Sequence, residues 1–140
     1  MSEKKRKMAF VVHSGSLDKL YPVFILASTG GAMDAEVSLF FTFWGMDAIK
    51  KGGLEKAKLP GIMSLGTGMM KGKIKDVGVP TLKEMLEMCR DTENVKIYAC
   101  STTMEIMGIS KDELIPEVDE IVGAATFLDI AMDADVQMFI

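Results

Sequence analysis

The sequence predicts an α/β fold in which helices cover both faces of a parallel sheet. Short apolar runs alternate with amphipathic stretches along most of the 140 residues, and this alternation is typical of β–α–β units. Crossovers of this kind are right-handed, which leaves few arrangements for the helices. The length corresponds to a single domain, residues 1–140, and a domain of this size folds without a disulfide scaffold.

The strands are predicted from short runs of apolar, aromatic and β-branched residues. The first run, residues 8–12, is entirely apolar and is typical of a fully buried strand. The second run, residues 36–43, is rich in phenylalanine and β-branched residues. Three further runs follow at residues 95–99, 120–123 and 136–140. Together they predict five strands.

Helices are predicted between these strands. The longest covers residues 17–32, with Pro22 in its first turns, where proline is tolerated. Residues 81–90 carry apolar side chains at i, i+3, i+4 and i+7, which indicates an amphipathic helix. Shorter helices are predicted at residues 45–51, from about residue 102, and at residues 124–133.

Two segments fall outside this alternation. Residues 52–80, here called the glycine-rich segment, hold seven of the thirteen glycines together with Met63, Met69 and Met70. Such a stretch is often a lid or a partner-binding loop, and equally often a mobile surface excursion without chemistry. Methionines adapt readily at binding surfaces, which favours a partner or oligomer contact. The second segment, residues 1–7, is basic and predicts a flexible, solvated tail.

The composition excludes several classes of protein. The formal net charge is -4, which disfavours a nucleic-acid partner because phosphate binding relies on clustered Lys and Arg. Two cysteines are too few for a disulfide-rich secreted fold. The apolar runs are shorter than the roughly 20 residues of a membrane span, and the N-terminus does not resemble a signal peptide. The sequence therefore predicts a cytoplasmic protein without a stable membrane span.

Common cofactor and catalytic motifs do not occur in the sequence. Gly72-Lys73 lacks the upstream glycine that a P-loop requires, and Gly66 does not begin a complete dinucleotide-binding fingerprint. One histidine and two separated cysteines do not complete a zinc site, so neither a metal nor a cofactor is expected. Ser14 lies beside His13, but the nucleophile elbow of serine hydrolases is missing.

Candidate site residues come from the loops that follow the strands, because ligands and reactive groups gather at the carboxyl ends of parallel strands. The candidate binding residues in these loops are His13, Ser14, Gly15, Trp44, Gly45, Ser101, Thr102 and Gly123, and the candidate catalytic residue is Cys100. We expect all of them at one edge of the sheet. For His13 the commoner interpretation is a simple polar residue at the end of a strand.

Cys100 is the strongest candidate for a reactive group. It follows an apolar strand and precedes a helix whose start is marked by Thr102 and Glu105 in the spacing of a capping box. The N–H groups and dipole of a helix start favour the nucleophilic thiolate, so we expect a reachable, reactive thiol. The alternative is a small buried side chain at a strand end. Cys89 lies on the apolar stripe of its helix and is expected to belong to the core.

Four stretches of the chain resemble the DsrE/DsrF/DsrH-like family, small α/β proteins of sulfur relay and sulfur oxidation. They are residues 9–15 (AFVVHSG), 40–45 (FFTFWG), 98–108 (YACSTTMEIMG) and 122–127 (VGAATF). The third stretch is the most specific, because it places a single cysteine at a strand-to-helix turn. The branch is sometimes labelled peroxiredoxin family, but the sequence has no thioredoxin-type T-x-x-C nucleophile.

The resemblance implies a three-layer α/β/α sandwich with a mainly parallel five-stranded sheet, and a homo- or hetero-oligomer. It also implies that Cys100 carries sulfane sulfur, as a persulfide or thiosulfonate, and passes it to a sulfur-carrier protein of the TusA or rhodanese type. Some relatives lack the cysteine and serve only as structural subunits. The alternative function is therefore that of a non-catalytic oligomeric binding or assembly subunit.

Overall fold

The computed structural model describes residues 4–140, which fold around one five-stranded sheet. The strands are β1 (Lys7–Val12), β2 (Glu36–Phe41), β3 (Val95–Cys100), β4 (Glu120–Val122) and β5 (Val136–Phe139). Their order across the sheet is β4-β3-β2-β1-β5, and every neighbouring pair is parallel. The prediction of a five-stranded parallel sheet is confirmed.

The described residues also form six α-helices that connect the strands. They are α1 (Leu17–Ala32), α2 (Gly53–Lys56), α3 (Thr67–Asp76), α4 (Leu82–Asp91), α5 (Ser101–Met107) and α6 (Ala124–Met132). The first three crossovers step in one direction across the sheet, whereas the last returns from β4 to β5 on the far side of β1. Because parallel crossovers are right-handed, α6 lies on the opposite face of the sheet from α1 and α4.

The two faces of the sheet bury cores of different size. The larger core lies against α1 and α4 and includes Phe10, Phe24 and Phe41. The smaller core lies against α6, where the rings of Phe40 and Phe127 stack with centroids 4.5 Å apart. The fold is therefore the predicted three-layer sandwich, with one layer formed mainly by a single nine-residue helix.

The last residues of the predicted basic tail, Arg6 and Lys7, contact the sheet. Lys7 begins β1, and the Arg6 carbonyl accepts a hydrogen bond from the Glu36 N–H at 2.9 Å. Lys7 also pairs with Asp133 at the end of α6. Pairing with β2 draws this part of the chain into the fold, so its positive charges are held in place. Residues 1–3 of the predicted tail lie outside the described residues.

Two element boundaries differ from the prediction near the carboxyl ends of β2 and β3. The second strand ends at Phe41 and is followed by a 3-10 helix, Phe43–Ile49, where the sequence predicted strand to residue 43 and helix over 45–51. The helix after β3 begins at Ser101, with Cys100 as its N-cap. The predicted capping box at Thr102 is wrong, because Cys100 still pairs with Val122 in the sheet and the strand runs directly into the helix.

The glycine-rich segment is helical over most of its length. It contains α2, a second 3-10 helix, Gly61–Gly66, and α3. No residue of that 3-10 helix or of α3 is buried, so these turns project from the domain. Across the described residues, none of the helices combines the length and the apolar character that crossing a bilayer requires.

Candidate functional site

The candidate site residues lie at one edge of the sheet, as the sequence predicts. The β1–β2 register pairs Val12 with Phe41, and the β3–β4 register pairs Cys100 with Val122. Since all strands are parallel, the loops that follow β1, β2, β3 and β4 emerge together at the carboxyl edge. The turn after β2 lies between the loop after β1 and the start of α5, and it contacts both.

The loop after β1 packs closely against the turn after β2. The Gly45 N–H donates a hydrogen bond to the His13 carbonyl at 3.0 Å. A Cβ atom at Gly45 would lie 2.1 Å from the Val12 carbonyl oxygen, and one at Gly15 would lie 2.5 Å from the Trp44 carbonyl oxygen. Both positions therefore require glycine because the two backbones touch. Their fixed contact sets where Phe43 and Trp44 stand.

An aromatic rim borders this contact. The His13 ring lies 5.6 Å from the ring of Phe139 and 6.0 Å from the ring of Phe43, measured between centroids. Phe43, Trp44 and Phe139 are exposed. Phe43 also has a φ of 47°, a left-handed conformation that bulky side chains rarely adopt. The strained residue Phe43 therefore lies in the turn between the loop after β1 and the start of α5.

Thr103, on the first turn of α5, holds that strained turn. Its side chain is 1% exposed, and its Oγ1 accepts a hydrogen bond from the Phe43 N–H at 3.0 Å. The same Oγ1 lies 3.1 Å from Oγ1 of Thr42, and either hydroxyl can donate. Because the Phe43 N–H occupies one lone pair of Thr103 Oγ1, the hydroxyl hydrogen remains available to another acceptor.

These threonines also influence the thiol of Cys100. Burial raises the pKa of this thiol, but four donor groups from three threonines together lower it more: the hydroxyl and N–H of Thr103, the hydroxyl of Thr42 and the N–H of Thr102. The net pKa lies below the ordinary value of 9.0. Hydrogen bonds to the charged form therefore outweigh desolvation at this site.

The sequence predicts a reachable thiol at residue 100, whereas the structure buries it. The Cys100 side chain is 7% exposed and packs in the smaller core with Val122 and Phe127. The reason is the register of β4, which places Val122 directly beside Cys100. The position combines a lowered pKa with shielding from solvent.

The thiol of Cys89 has a raised pKa, in contrast to that of Cys100. As the sequence predicts, Cys89 lies on the apolar stripe of α4 and belongs to the core. It is fully buried in the larger core, where burial raises the pKa of its thiol to about 12. The positive charge of the neighbouring Arg90 lowers this pKa, but by less than burial raises it. Both cysteines are free thiols.

The structure divides the predicted site residues into two groups. Cys100, Thr102 and Ser101 lie together at the start of α5, and a Cβ atom at Gly123 would lie 3.6 Å from the Ser101 hydroxyl. Ser14, Gly15 and Trp44 instead line a separate cleft of about 470 Å³ toward the glycine-rich segment. In that cleft region the Ser14 hydroxyl bonds to Ser16 at 2.9 Å. Cys100 does not line this cleft.

Two residues of the site, Thr42 and Thr103, were not predicted. They are far apart in the sequence, and although Thr42 lies in the family-like stretch 40–45 and Thr103 in 98–108, neither stretch indicates that the two side chains meet. The register of β2 and β3 could have indicated Thr42. Phe41 pairs with Ala99, so the residues that follow them, Thr42 and Cys100, are neighbours. Thr103 is found only from the buried position of its hydroxyl.

The sequence and the fold match known proteins over nearly the full chain. The sequence model of the DsrE/DsrF/DrsH-like family matches residues 4–66 and 53–139. The chain is 36% identical to Sulfur carrier protein DsrE2 of Allochromatium vinosum over 160 aligned residues, covering 98% of this chain and 99% of that protein. It is 33% identical to Uncharacterized protein YrkE of Bacillus subtilis over 162 aligned residues, covering 100% of both.

A solved structure supports the fold independently of sequence. The protein of unknown function MTH1491 from Methanobacterium thermoautotrophicum superimposes with a TM-score of 0.62, covering 97% of this chain and 100% of that one. The two sequences are 11% identical, so this likeness concerns the fold alone.

Proposed function

Because the chain belongs to the DsrE/DsrF/DrsH-like family, we propose that it is a sulfur-relay protein that carries sulfane sulfur on Cys100. A relative that is 36% identical over nearly the full length bears the name of a sulfur carrier, which supports this role. The observation that carries the proposal is the set of threonine donors around Cys100, which lowers the pKa of that thiol in spite of its burial. The thiolate is the form that attacks sulfur.

The proposed loading step is a thiol–disulfide type of exchange. The Cys100 thiolate attacks the sulfane sulfur of a persulfide or polysulfide donor. A bond forms between Cys100 Sγ and that sulfur, the sulfur–sulfur bond of the donor breaks, and the donor leaves as its thiolate. In unloading, an acceptor thiolate attacks the terminal sulfur and Cys100 leaves as a thiolate. Electrons balance within each step, so no separate oxidant, metal or general base is needed.

The residues that surround Cys100 suit a terminal sulfur that carries negative charge. The Thr102 N–H and the Thr42 and Thr103 hydroxyls already act on the sulfur of Cys100. A persulfide adds one sulfur beyond Sγ, and the Ser101 hydroxyl, which lies beside Gly123 at the start of α5, is proposed as a further donor to that atom. Hydrogen bonds to a charged acceptor are stronger than those between neutral groups, so these donors favour the loaded state.

Access to the thiol is proposed to come from the turn at Phe43. The Cys100 side chain is 7% exposed, and a donor sulfur must approach it closely. The turn is strained at Phe43 and is fastened to α5 by the hydrogen bond from the Phe43 N–H to Thr103. Movement of this turn opens the carboxyl edge without breaking any strand pairing, and it also moves Phe43 and Trp44, which are exposed to a partner.

The acceptor is proposed to be a sulfur-carrier protein of the TusA or rhodanese type, which would dock on the aromatic rim of His13, Phe43, Trp44 and Phe139. We further propose a homo-oligomer and a reducing, cytoplasmic setting, in which both thiols remain free. The exposed rim supports the docking part of this proposal because aromatic side chains are enriched in the centres of interfaces.

The burial of Cys100 favours a second candidate function, a non-catalytic oligomeric binding or assembly subunit. A thiol that packs with Val122 and Phe127 is also what a purely structural cysteine looks like. The two functions differ in one property, which is whether sulfur can be loaded on the native protein.

Mass spectrometry of the native protein after incubation with polysulfide tests the proposal. We expect the wild type and Cys89→Ser to gain the mass of sulfur, and Cys100→Ser to gain none. Peptide mapping should place the adduct on Cys100. Loading that persists in Cys100→Ser and vanishes in Cys89→Ser would make Cys89 the carrier. If the wild type gains no sulfur at any pH at which it is folded, the assembly-subunit function replaces the relay function.

A further inference from the structure

The glycine-rich segment concentrates positive charge within an acidic protein. The segment, residues 52–80, contains five lysines against two acidic residues, Glu55 and Asp76, whereas the whole chain carries 20 acidic against 16 basic residues. The lysines are Lys56, Lys58, Lys71, Lys73 and Lys75. Within the described residues, none of these five takes part in an ion pair. Their positive charges are therefore not neutralised by a carboxylate of the described part of the domain.

The same segment exposes large apolar side chains. Ile62 is 85% exposed and Leu65 is 88% exposed. Four more apolar side chains of the segment are exposed: Met63, Met69, Met70 and Val77. Singly exposed apolar residues are ordinary on protein surfaces, but a group of this size in one short segment is typical of an interaction surface.

These side chains are exposed although their backbone is anchored. The Lys58 carbonyl accepts a hydrogen bond from the Leu17 N–H at 2.9 Å, and the Leu59 N–H donates to Oγ1 of Thr67 at 3.0 Å. The Lys71 ammonium donates to the Glu55 carbonyl at 2.9 Å. The contacts at the base of the segment thus fix it on the domain, while Gly61–Gly66 and α3 contribute nothing to either core.

We propose that the glycine-rich segment binds the surface of a membrane that contains anionic lipids. Lysines attract the phosphate groups of such lipids, and apolar side chains on short helices enter the boundary between headgroups and acyl chains. The 61% exposed Trp44 lines the cleft next to Pro60 and Gly61, so an aromatic ring of the type enriched at membrane interfaces lies beside the segment.

Charge complementarity favours a lipid surface over a second copy of this chain. A twofold contact that puts the segment on the symmetry axis would bring two positively charged copies of it together. Like charges across a contact are unfavourable, whereas an anionic bilayer offers opposite charge to the lysines of the segment. The binding described here is peripheral and needs neither a spanning helix nor a reactive Cys100.

Sedimentation of the full chain with lipid vesicles tests the proposal. We expect the wild type to sediment with vesicles of phosphatidylcholine and phosphatidylglycerol, and not with vesicles of phosphatidylcholine alone. Ile62→Glu/Leu65→Glu should lower binding about tenfold or more, because two apolar contacts are replaced by charges that the lipid repels. Lys73→Glu/Lys75→Glu should lower binding by a similar factor and reduce its sensitivity to salt.

Matched variants outside the segment control for general effects. Leu128→Glu/Met132→Glu changes two exposed apolar residues of α6, and Lys19→Glu/Lys111→Glu changes net charge by the same amount. Both should bind vesicles as the wild type does, and so should Cys100→Ser. Circular dichroism establishes that each variant is folded, which is expected for the four double variants because all of their changed side chains are exposed.

The outcomes separate the proposal from its alternatives. Wild-type protein that does not bind anionic vesicles, or segment variants that bind them unchanged, would overturn it. Sedimentation velocity of the protein without lipid tests whether a second copy of this chain binds the segment instead. An oligomer that dissociates in Ile62→Glu/Leu65→Glu, together with no vesicle binding by the wild type, would make another protomer the occupant and overturn the proposal. Retained vesicle binding by Cys100→Ser keeps this result independent of the sulfur-relay experiment.

Discussion

Cys89 and Cys100 lie on consecutive elements, α4 and β3, and face opposite sides of the same sheet. Cys89 is fully buried in the larger core, and Cys100 is 7% exposed in the smaller one. Their exposures are nearly equal, yet the pKa of Cys89 is raised to about 12 and that of Cys100 falls below 9.0. The difference comes from the threonine donors around Cys100. In this fold, hydrogen-bond donors and not solvent access determine which thiol ionises.

The largest expected effect is the difference in alkylation rate between the two thiols. At pH 8 about one Cys89 thiol in 10⁴ is ionised, given its pKa of about 12, whereas the pKa of Cys100 lies below its ordinary value and a far larger fraction of it is ionised. Because the thiolate is the nucleophile, iodoacetamide should modify Cys100 much faster than Cys89. Peptide mapping of the folded protein over a range of pH values measures both rates.

The control for this experiment is the unfolded chain. In urea the two thiols should react at similar rates, because neither the core nor the threonines then act on them. Equal rates in the folded protein would remove the contrast between the two cysteines, and a faster Cys89 would reverse it.

A smaller contrast is expected in stability, and it runs in the opposite sense to reactivity. Cys89→Ser places a hydroxyl in an apolar core, which should lower the free energy of unfolding by about 1–3 kcal/mol. Cys100→Ser should cost less than about 1 kcal/mol, because Thr42, Thr102 and Thr103 offer partners to the new hydroxyl. Urea denaturation of both variants measures this difference. Comparable losses in the two variants would contradict the donor-rich description of the Cys100 site.

The smallest expected effect is that of removing a single donor. Thr103→Val takes a hydroxyl from the Cys100 sulfur and leaves the Phe43 N–H without its acceptor. The pKa of Cys100 should rise, and alkylation near pH 7 should slow by up to about tenfold. Thr103→Ser keeps the hydroxyl and should react as the wild type does. An unchanged pH midpoint in Thr103→Val would assign the lowered pKa to the remaining donors.

The sequence was sufficient for the order of the strands and main helices because these depend on local patterns. The apolar runs predicted all five strands, and the helix predicted over residues 17–32 has the bounds of α1 in the structure. Membership of Cys89 in the core followed from the periodicity of α4. In each of these cases the residues that determine the outcome lie within one or two turns of each other.

The site was harder to predict because its contacts join distant parts of the chain. Thr42 meets Thr103 only through the register of β2 and β3, which no local pattern encodes. The register of β3 and β4 also buries Cys100 beside Val122. From its place at the end of a strand, the sequence predicts a reachable thiol. The predicted capping box at Thr102 failed for a related reason, since pairing with Val122 extends β3 to Cys100 and makes that residue the cap.

The order of the elements along the chain also determines which of them are synthesised first. The ribosome completes β1, β2, β3 and β4 before it delivers α6, the helix that covers Phe40, Tyr98 and Cys100. Until residues 124–132 emerge, the growing polypeptide holds an apolar sheet face and a cysteine with nothing packed over them. At ordinary elongation rates this interval lasts on the order of a second. During this interval the thiol of Cys100 and the apolar face around it lack the shielding that α6 gives them in the folded protein.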